Sequence, residues 1–291
     1  MHRTGDLRDC LLEWVRRETA PDAAAWVEAQ CTALAEGAPA RLLFLDFSGA
    51  LRRTGKAPLR LRPEDLARAD RLRPAWNPAG WTTDQAARIA LVLSWPAADA
   101  AAYAATLDQI FQSADLGELV ALYQALPVLP HQGAHVRRCA EGVRTNMTDV
   151  FKAIVHGNPY PCEHLDEAAW NQMVLKALFV GVALHPVHGL DARANPALAR
   201  MLLDYARERW AAKRAVSPEL WRCVGPFADA TALAGMGKVL AEGEPEERHA
   251  VVLALRNSPD AGAKSLLARH RVALPPGCDW AHLSPAATAP L

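Results

Sequence analysis

A helical period of apolar residues constrains the fold of this chain more than any other feature. Leu7, Leu11 and Trp14 recur at intervals of three and four residues near the N-terminus, which places them on one face of an amphipathic helix. Pro21 opens a second helix that carries the same pattern. Gly37 follows that pattern at the position of a C-terminal cap. Such a chain is expected to bury its core between helices.

Short connections separate the predicted helices. The pattern predicts further helices over residues 42–51, 63–72, 84–94, 97–112, 116–126, 133–144 and 166–181. The apolar stretch 42–51 also fits a short strand by periodicity alone, although a buried helix is favoured. Connections of about two to six residues are typical of stacked helical hairpins. The sequence therefore predicts an all-α fold, either an irregular helical-pair (HEAT-like) solenoid or a helical bundle.

An Arg- and Pro-rich stretch over residues 56–81 is the best candidate for a boundary inside the chain. It divides an N-terminal helical region, residues 1–80, from a main helical-repeat domain, residues 81–270. A Pro-rich C-terminal tail, residues 271–291, lacks periodicity and is expected to lie extended on the surface or to be mobile.

Composition excludes several classes of protein. The 32 Lys and Arg residues balance the 32 Asp and Glu residues, so nucleic acid is not an expected partner. No stretch reaches the roughly 18 consecutive apolar residues of a membrane-spanning helix, and the N-terminus lacks the apolar run of a secretory signal. A cytoplasmic protein is therefore expected. The six cysteines are scattered without a C-x-x-C pair, which indicates reduced structural thiols rather than a zinc site or disulfides.

Histidines concentrate in the middle of the chain. Six of the ten lie between residues 131 and 188, namely His131, His135, His156, His164, His185 and His188. In the connection 156–166, Asn158 and Tyr160 each precede a proline, which predicts non-helical dihedrals for both. The connection either holds Tyr160, Glu163 and His164 rigidly for a ligand or is an ordinary linker in which Asp166 caps the next helix.

Two further patterns follow in this middle region. Asn171 and Lys176 lie off the apolar stripe of helix 166–181, where exposure to solvent is the ordinary expectation, although a lysine near apolar groups can have a lowered pKa. His185 and His188 have an H-x-x-H spacing that, with Glu163 and His164, could supply metal ligands. Pro186 interrupts a regular helical pair and no H-E-x-x-H motif is present, so the sequence assigns neither a metal nor a cofactor.

Two other pairs of residues predict helix starts. Asn195 supplies a capping oxygen before Pro196, and Ser217 does the same before Pro218. Both pairs are interpreted as structural. The chain contains no P-loop, dinucleotide fingerprint, G-x-S-x-G elbow or kinase signature, so no familiar class of enzyme is indicated.

The candidate ligand-binding residues are the polar side chains of this middle region. They are Asn146, His156, Asn158, Tyr160, Glu163, His164, Asn171, Lys176, His185, His188 and Arg193. No catalytic residue is assigned.

Three strings carry a family resemblance: NPYPCEHLDEAAWNQMVLKALFVG, GLDARANPALARMLLDYARERWAA and SPELWRCVGPF. They resemble the distinctive block of the EboA domain family, which is found in bacterial and cyanobacterial metabolite-traffic gene clusters. The resemblance is close over residues 144–227 and weak before about residue 81. It implies a soluble helical protein that works beside a prenyltransferase-like membrane protein, a hydrolase-like protein, a sugar-phosphate-cyclase-like enzyme and a sugar-isomerase-like barrel.

Two functions are compatible with these observations. The first is an accessory protein of a metabolite biosynthesis or traffic pathway that binds a small metabolite or scaffolds partner enzymes, since helical solenoids offer extended binding surfaces. The second is an enzyme of an undescribed class that uses Glu163 and nearby histidines as acid, base or metal ligands. The lack of a catalytic motif favours the first.

Overall fold

The computed structural model describes the backbone of residues 2–284 and the side chains of residues 4–284. Within this range the chain forms sixteen α-helices and no β-sheet, and an isolated antiparallel bridge joins Pro58 to Thr82. The helices are α1 (His2–Glu18), α2 (Pro21–Ala35), α3 (Ala40–Thr54), α4 (Pro63–Leu72), α5 (Thr83–Ser94), α6 (Ala100–Ser113), α7 (Leu116–Ala125), α8 (Val136–Val143), α9 (Thr148–Val155), α10 (Tyr160–His164), α11 (Glu167–Phe179), α12 (Pro196–Ala211), α13 (Leu220–Val224), α14 (Ala230–Glu242), α15 (Pro245–Arg256) and α16 (Ala261–His270).

The predicted all-α class is confirmed. The ambiguous stretch 42–51 lies inside α3, so the helical interpretation is confirmed and the strand alternative is wrong. The predicted tail is described only as far as residue 284, and residues 271–284 contain turns but no helix. The remainder of the tail lies outside the described residues.

The described chain divides into two compact units, one comprising the residues up to Leu165 and the other those from Asp166 onwards. The domain boundary that composition predicts near residue 80 stays a prediction.

Helix α5 is the centre of the first unit. Each of its residues from Thr83 to Ser94 is buried, and it packs against α1, α2, α3 and α7. Its one arginine, Arg88, is 1% exposed and pairs with Asp84 one turn earlier in the same helix. The Arg88 Nε donates a hydrogen bond to the backbone oxygen of Phe47 at 3.1 Å. A buried arginine is therefore satisfied by one carboxylate and one carbonyl, as burial of a charge requires.

Asp65 ties α4 to α1 in the same unit. Its carboxylate accepts from the backbone N–H of Arg62 at 2.8 Å, which caps α4, and from the Arg17 guanidinium at 3.2 Å. The indole N–H of Trp14 donates to it at 3.3 Å. Burial raises the pKa of Asp65, but the hydrogen bonds from Arg17 and Arg62 outweigh burial and hold its pKa well below the usual value.

The second unit is built from α11 to α16. Helix α13 packs between α12 and α15, and α14 and α16 pack against each other and against α15. The rings of Trp210 and Trp221 lie 6.0 Å apart between centroids and join α12 to α13. Gly225, directly after α13, allows close packing against α15, because a Cβ there would overlap the backbone carbonyl of Ala254 in α15.

The expectation for Tyr160 is wrong. Tyr160 was predicted to be non-helical because Pro161 follows it, yet it is the first residue of α10. Pro161 occupies the second position of that helix, where a backbone N–H has no acceptor within the helix. Because proline lacks only this N–H, the helix loses no hydrogen bond. The side chain of Asn158 accepts from the Tyr160 N–H at 3.0 Å and satisfies that end of the helix instead.

None of the six cysteines, which all lie within the described residues, forms a disulfide. Burial raises the pKa of Cys10 and Cys31 to about 11. It raises the pKa of Cys139 and Cys223 to about 12. Because the thiolate is the reactive form, these four residues are inert core side chains.

Candidate functional site

The candidate residues fall into two groups, one in each unit. Asn146, His156, Asn158, Tyr160, Glu163 and His164 belong to the first unit. Asn171, Lys176, His185, His188 and Arg193 belong to the second. Each group is therefore described by itself.

Glu163 is held by an arginine that the sequence analysis did not single out. The Arg73 Nη1 donates to Glu163 Oε1 at 2.9 Å, and the second guanidinium nitrogen pairs with Oε2. The Arg73 Nε donates to the backbone oxygen of Pro127 at 2.7 Å. This bidentate pair joins the end of α4 to α10. An arginine so far away in sequence carries no local signal, so only folding reveals the partner.

His164 lies beside this ion pair. Its ring is tilted against the Tyr160 ring with 4.3 Å between centroids, and its Nε2 is 3.9 Å from Glu163 Oε2. Burial lowers the pKa of His164, a shift that nearby Glu163 opposes and Arg73 reinforces. The imidazole is therefore neutral at neutral pH, and about a quarter of the side chain is exposed. Tyr160 itself donates its hydroxyl proton to the backbone oxygen of Gln132.

Asn158 is engaged inside the fold. Its amide is 4% exposed and donates to the backbone oxygens of Tyr123 and Ala153, both at 3.1 Å. Together with the hydrogen bond from the Tyr160 N–H, these contacts fix the connection between α9 and α10. Of the other candidates in this unit, Asn146 is exposed before α9, and His156 is half-buried directly after it.

Two further histidines between residues 131 and 188 form hydrogen bonds with backbone carbonyl oxygens. Nε2 of His131 lies 2.8 Å from the backbone oxygen of Ala97, and Nε2 of His135 lies 2.9 Å from that of Pro130. Since a carbonyl only accepts, each Nε2 carries the proton. His135 is 3% exposed, and burial lowers its pKa. These two side chains stabilise the turn before α8.

A buried glutamate organises the group in the second unit. Glu219 is 1% exposed and accepts from the backbone N–H of Leu184 at 2.8 Å and from that of His185 at 2.6 Å. Its Oε1 lies 3.8 Å from Nδ1 of His185. That nitrogen is buried and has no hydrogen-bond partner, whereas a third of the His185 side chain is exposed. The carboxylate thus anchors the irregular segment between α11 and α12.

Sequence reasoning missed Glu219. It follows Ser217 and Pro218, a pair interpreted as an ordinary helix start, and a glutamate there is typical of a helix N-terminus. Nothing local distinguishes it from an exposed acidic residue. Its burial follows from the packing of α13 against α12 and α15.

Asn171 forms a reciprocal amide pair with Asn195. Each side-chain nitrogen donates to the other's oxygen, at 3.2 Å from Asn171 and 2.9 Å from Asn195. The Asn195 oxygen also accepts from the Leu198 N–H at 2.8 Å, which confirms Asn195 as the cap of α12. Asn171 is 3% exposed, so the expectation that it faces solvent is wrong. A buried amide and a half-buried one satisfy each other here, which removes the usual cost of burying Asn171.

The three remaining candidates of the second unit differ in their surroundings. The Arg193 guanidinium carbon lies 4.7 Å from the centroid of the Trp170 ring, in cation–π contact. Lys176 is half-buried, and burial lowers its pKa, in the direction that its apolar surroundings suggested. His188 is exposed in the irregular segment. Within residues 4–284, no group of three or more His, Cys, Asp or Glu side chains is arranged to hold a metal ion.

The fold and these clusters define an all-helical protein whose polar middle residues are organised by ion pairs and paired amides. None of the described helices is both long and apolar enough to span a membrane. The chain belongs to the EboA family, since the family model, described as metabolite traffic protein EboA, matches residues 7–225. The match begins in the first helix, well before residue 81, where the resemblance was expected to be weak. No curated protein and no solved structure matches the chain significantly.

Proposed function

We propose that the protein is an accessory component of a metabolite traffic pathway, which works in the cytoplasm and binds a small metabolite or holds partner enzymes together. Membership of the EboA family supports the pathway. The expected partners are other products of the same gene cluster, namely a prenyltransferase-like membrane protein and hydrolase-like and cyclase-like enzymes.

The observation that carries metabolite binding is the pair formed by His185 and Glu219. The carboxylate uses both oxygens on backbone N–H groups and still lies 3.8 Å from the buried ring nitrogen Nδ1. A neighbouring carboxylate favours the tautomer with its proton on Nδ1. The ring then has its other nitrogen free of a proton, and a third of the side chain is exposed. A metabolite hydroxyl or amine is a suitable donor for that nitrogen.

Isothermal titration with the pathway's product, and pull-down with the cluster's enzymes, test this proposal. The His185→Ala variant is expected to bind the product about tenfold more weakly, because it lacks the imidazole while Glu219 still anchors the backbone. The control is His282→Ala, which removes an exposed histidine of the same unit. Failure of the wild-type chain to bind the product or any enzyme of the cluster would contradict the proposal.

The alternative is an enzyme of an undescribed class, and the same pair is the observation in its favour. An imidazole with a carboxylate 3.8 Å from its ring nitrogen is a candidate general base. Glu163 is a weaker candidate than predicted, because Arg73 occupies both of its oxygens. Product profiling with His185→Ala, Glu163→Ala and His164→Ala, together with metal analysis of the purified chain, separates the two functions. Loss of turnover with binding retained would favour the enzyme.

A further inference from the structure

A polar groove lies on the first unit, outside the strings that carry the family resemblance. It runs along α3 beside α2 and has a volume of about 410 Å³. Its lining residues are Trp26, Leu45, Asp46, Gly49, Arg52 and Arg53. All but Trp26 come from α3, where they recur at the three- and four-residue spacing of one helix face. The groove is therefore built on a rigid element.

Asp46 supplies the first indication of a ligand. The residue is 9% exposed, and its Oδ2 is buried without a hydrogen-bond partner. Burial raises the pKa of this carboxyl, and the charge of Arg53 opposes that shift. A buried acceptor left unsatisfied destabilises the fold, and more so when it is charged. A ligand in the groove that donates to this carboxylate would offset part of that cost.

Gly49 supplies the second indication. It is buried in the interior of α3, yet a Cβ added there would meet no atom within 4 Å. Its φ is not positive, so the backbone does not require glycine. A glycine inside a helix is less favourable than an alanine. The missing side chain leaves open space at this point of the groove, one turn from Asp46.

The remaining lining residues indicate the chemistry of the ligand. Arg52 and Arg53 are exposed, and the Arg53 guanidinium carbon lies 5.5 Å from the centroid of the Trp26 ring. Leu45 is 58% exposed and adds an apolar wall. The groove therefore combines a buried acceptor, two cations at its rim and an apolar surface. Two arginines against one aspartate leave it with a net positive charge, which favours an anion.

We propose that this groove binds a small hydroxylated anion, a molecule with at least one hydroxyl and one phosphate or carboxylate group. The hydroxyl donates to the Asp46 carboxylate, and the anionic group pairs with Arg52 and Arg53. The carbon framework packs against Trp26 and Leu45. This site is separate from the His185 pair, so either proposal can fail without the other.

The test is a titration of the full ¹⁵N-labelled chain, followed by NMR at the Trp26 indole N–H, which the Trp26→Phe variant assigns. The probes are D-glucose 6-phosphate and D-gluconate, which distinguish phosphate from carboxylate. D-Glucose and inorganic phosphate each carry only one of the two features. A saturable shift is expected with at least one hydroxylated anion, with binding about tenfold weaker for both single-feature probes.

Variants locate the binding. Asp46→Asn keeps the volume and removes the carboxylate acceptor, and Gly49→Leu fills the groove; each is expected to weaken binding about tenfold or more. The matched control is Ser48→Leu, which adds the same side chain at an exposed position of α3 outside the groove. Asp46→Asn is also expected to unfold at the same temperature as the wild type or a higher one, because it removes an unpaired buried charge.

Three results would overturn the proposal. The first is the absence of a saturable shift with both hydroxylated anions. The second is equal binding of inorganic phosphate, which would mean an anion held by surface arginines alone. The third is unchanged binding in Gly49→Leu, a result that is decisive even if Asp46→Asn fails to fold.

Discussion

Replacing Glu219 by glutamine is expected to destabilise the second unit although the two side chains have nearly the same shape. The carboxylate accepts two backbone hydrogen bonds, at 2.8 Å from Leu184 and 2.6 Å from His185, at a residue that is 1% exposed. A glutamine oxygen can accept only one of them. The side-chain NH₂ then faces the other N–H, so two donors meet and neither has an acceptor.

The size of the effect follows from these contacts. A hydrogen bond to a charged group contributes about 1.5–3 kcal/mol, and one such bond is lost outright. The other becomes neutral and about half as strong, whereas relief of the buried charge offsets part of the loss. The net expectation is a decrease of about 2–3 kcal/mol in the free energy of unfolding.

Urea denaturation followed by tryptophan fluorescence measures this change, and hydrogen exchange at the Leu184 and His185 amides localises it. The control is Glu208→Gln, at an exposed position of α12, where a change within about 0.5 kcal/mol is expected. If Glu219→Gln also stays within that margin and the two amides keep their protection, the assignment of Glu219 as an anchor is wrong.

The other predictions concern packing and pH. Gly142→Ala is expected to lower the free energy of unfolding by about 1–3 kcal/mol in urea denaturation, because the new Cβ would lie 2.5 Å from Cζ of Tyr123. Gly49→Ala is expected to raise it by up to about 1 kcal/mol, because a Cβ there meets no atom within 4 Å. The pKa of Asp65 is lower in the folded state than its unfolded value of about 3.9, so the stabilisation that Asp65 provides is complete above that pH and is lost as the pH falls. In Asp65→Asn the free energy of unfolding should therefore fall less steeply at acidic pH. The folded pKa of His135 also lies below its unfolded value of about 6.5, so stability should fall as the pH drops below that value, and a smaller fall in His135→Gln would show its share. If the dependence of stability on pH is the same in Asp65→Asn or in His135→Gln as in the wild type, the assignment of that residue is contradicted.

Local sequence patterns predicted the helices well because a helix is determined within a few residues. Periodicity identified α1 to α7, and capping side chains precede α11 and α12. The predicted cap at Ser217 is wrong, because its hydroxyl has no hydrogen-bond partner and α13 begins at Leu220. Asp166 accepts from the Ala169 N–H at 2.7 Å, and Asn195 caps α12, as the sequence predicted. Tyr160 was a further exception, since the rule for residues before proline does not hold at the first position of a helix.

The sequence by itself therefore determined the all-α class, most helix boundaries and the family, because these depend on short-range periodicity and on strings of adjacent residues. Only the tertiary structure decided which polar residues meet. Arg73 reaches Glu163 across 90 positions, and Glu219 reaches His185 across 34. The open space beside Gly49, with its unpartnered Asp46, likewise exists only once α2 and α3 pack. Contacts of this kind depend on how helices pack, and the sequence of one helix does not show which side chain a neighbouring helix places against it.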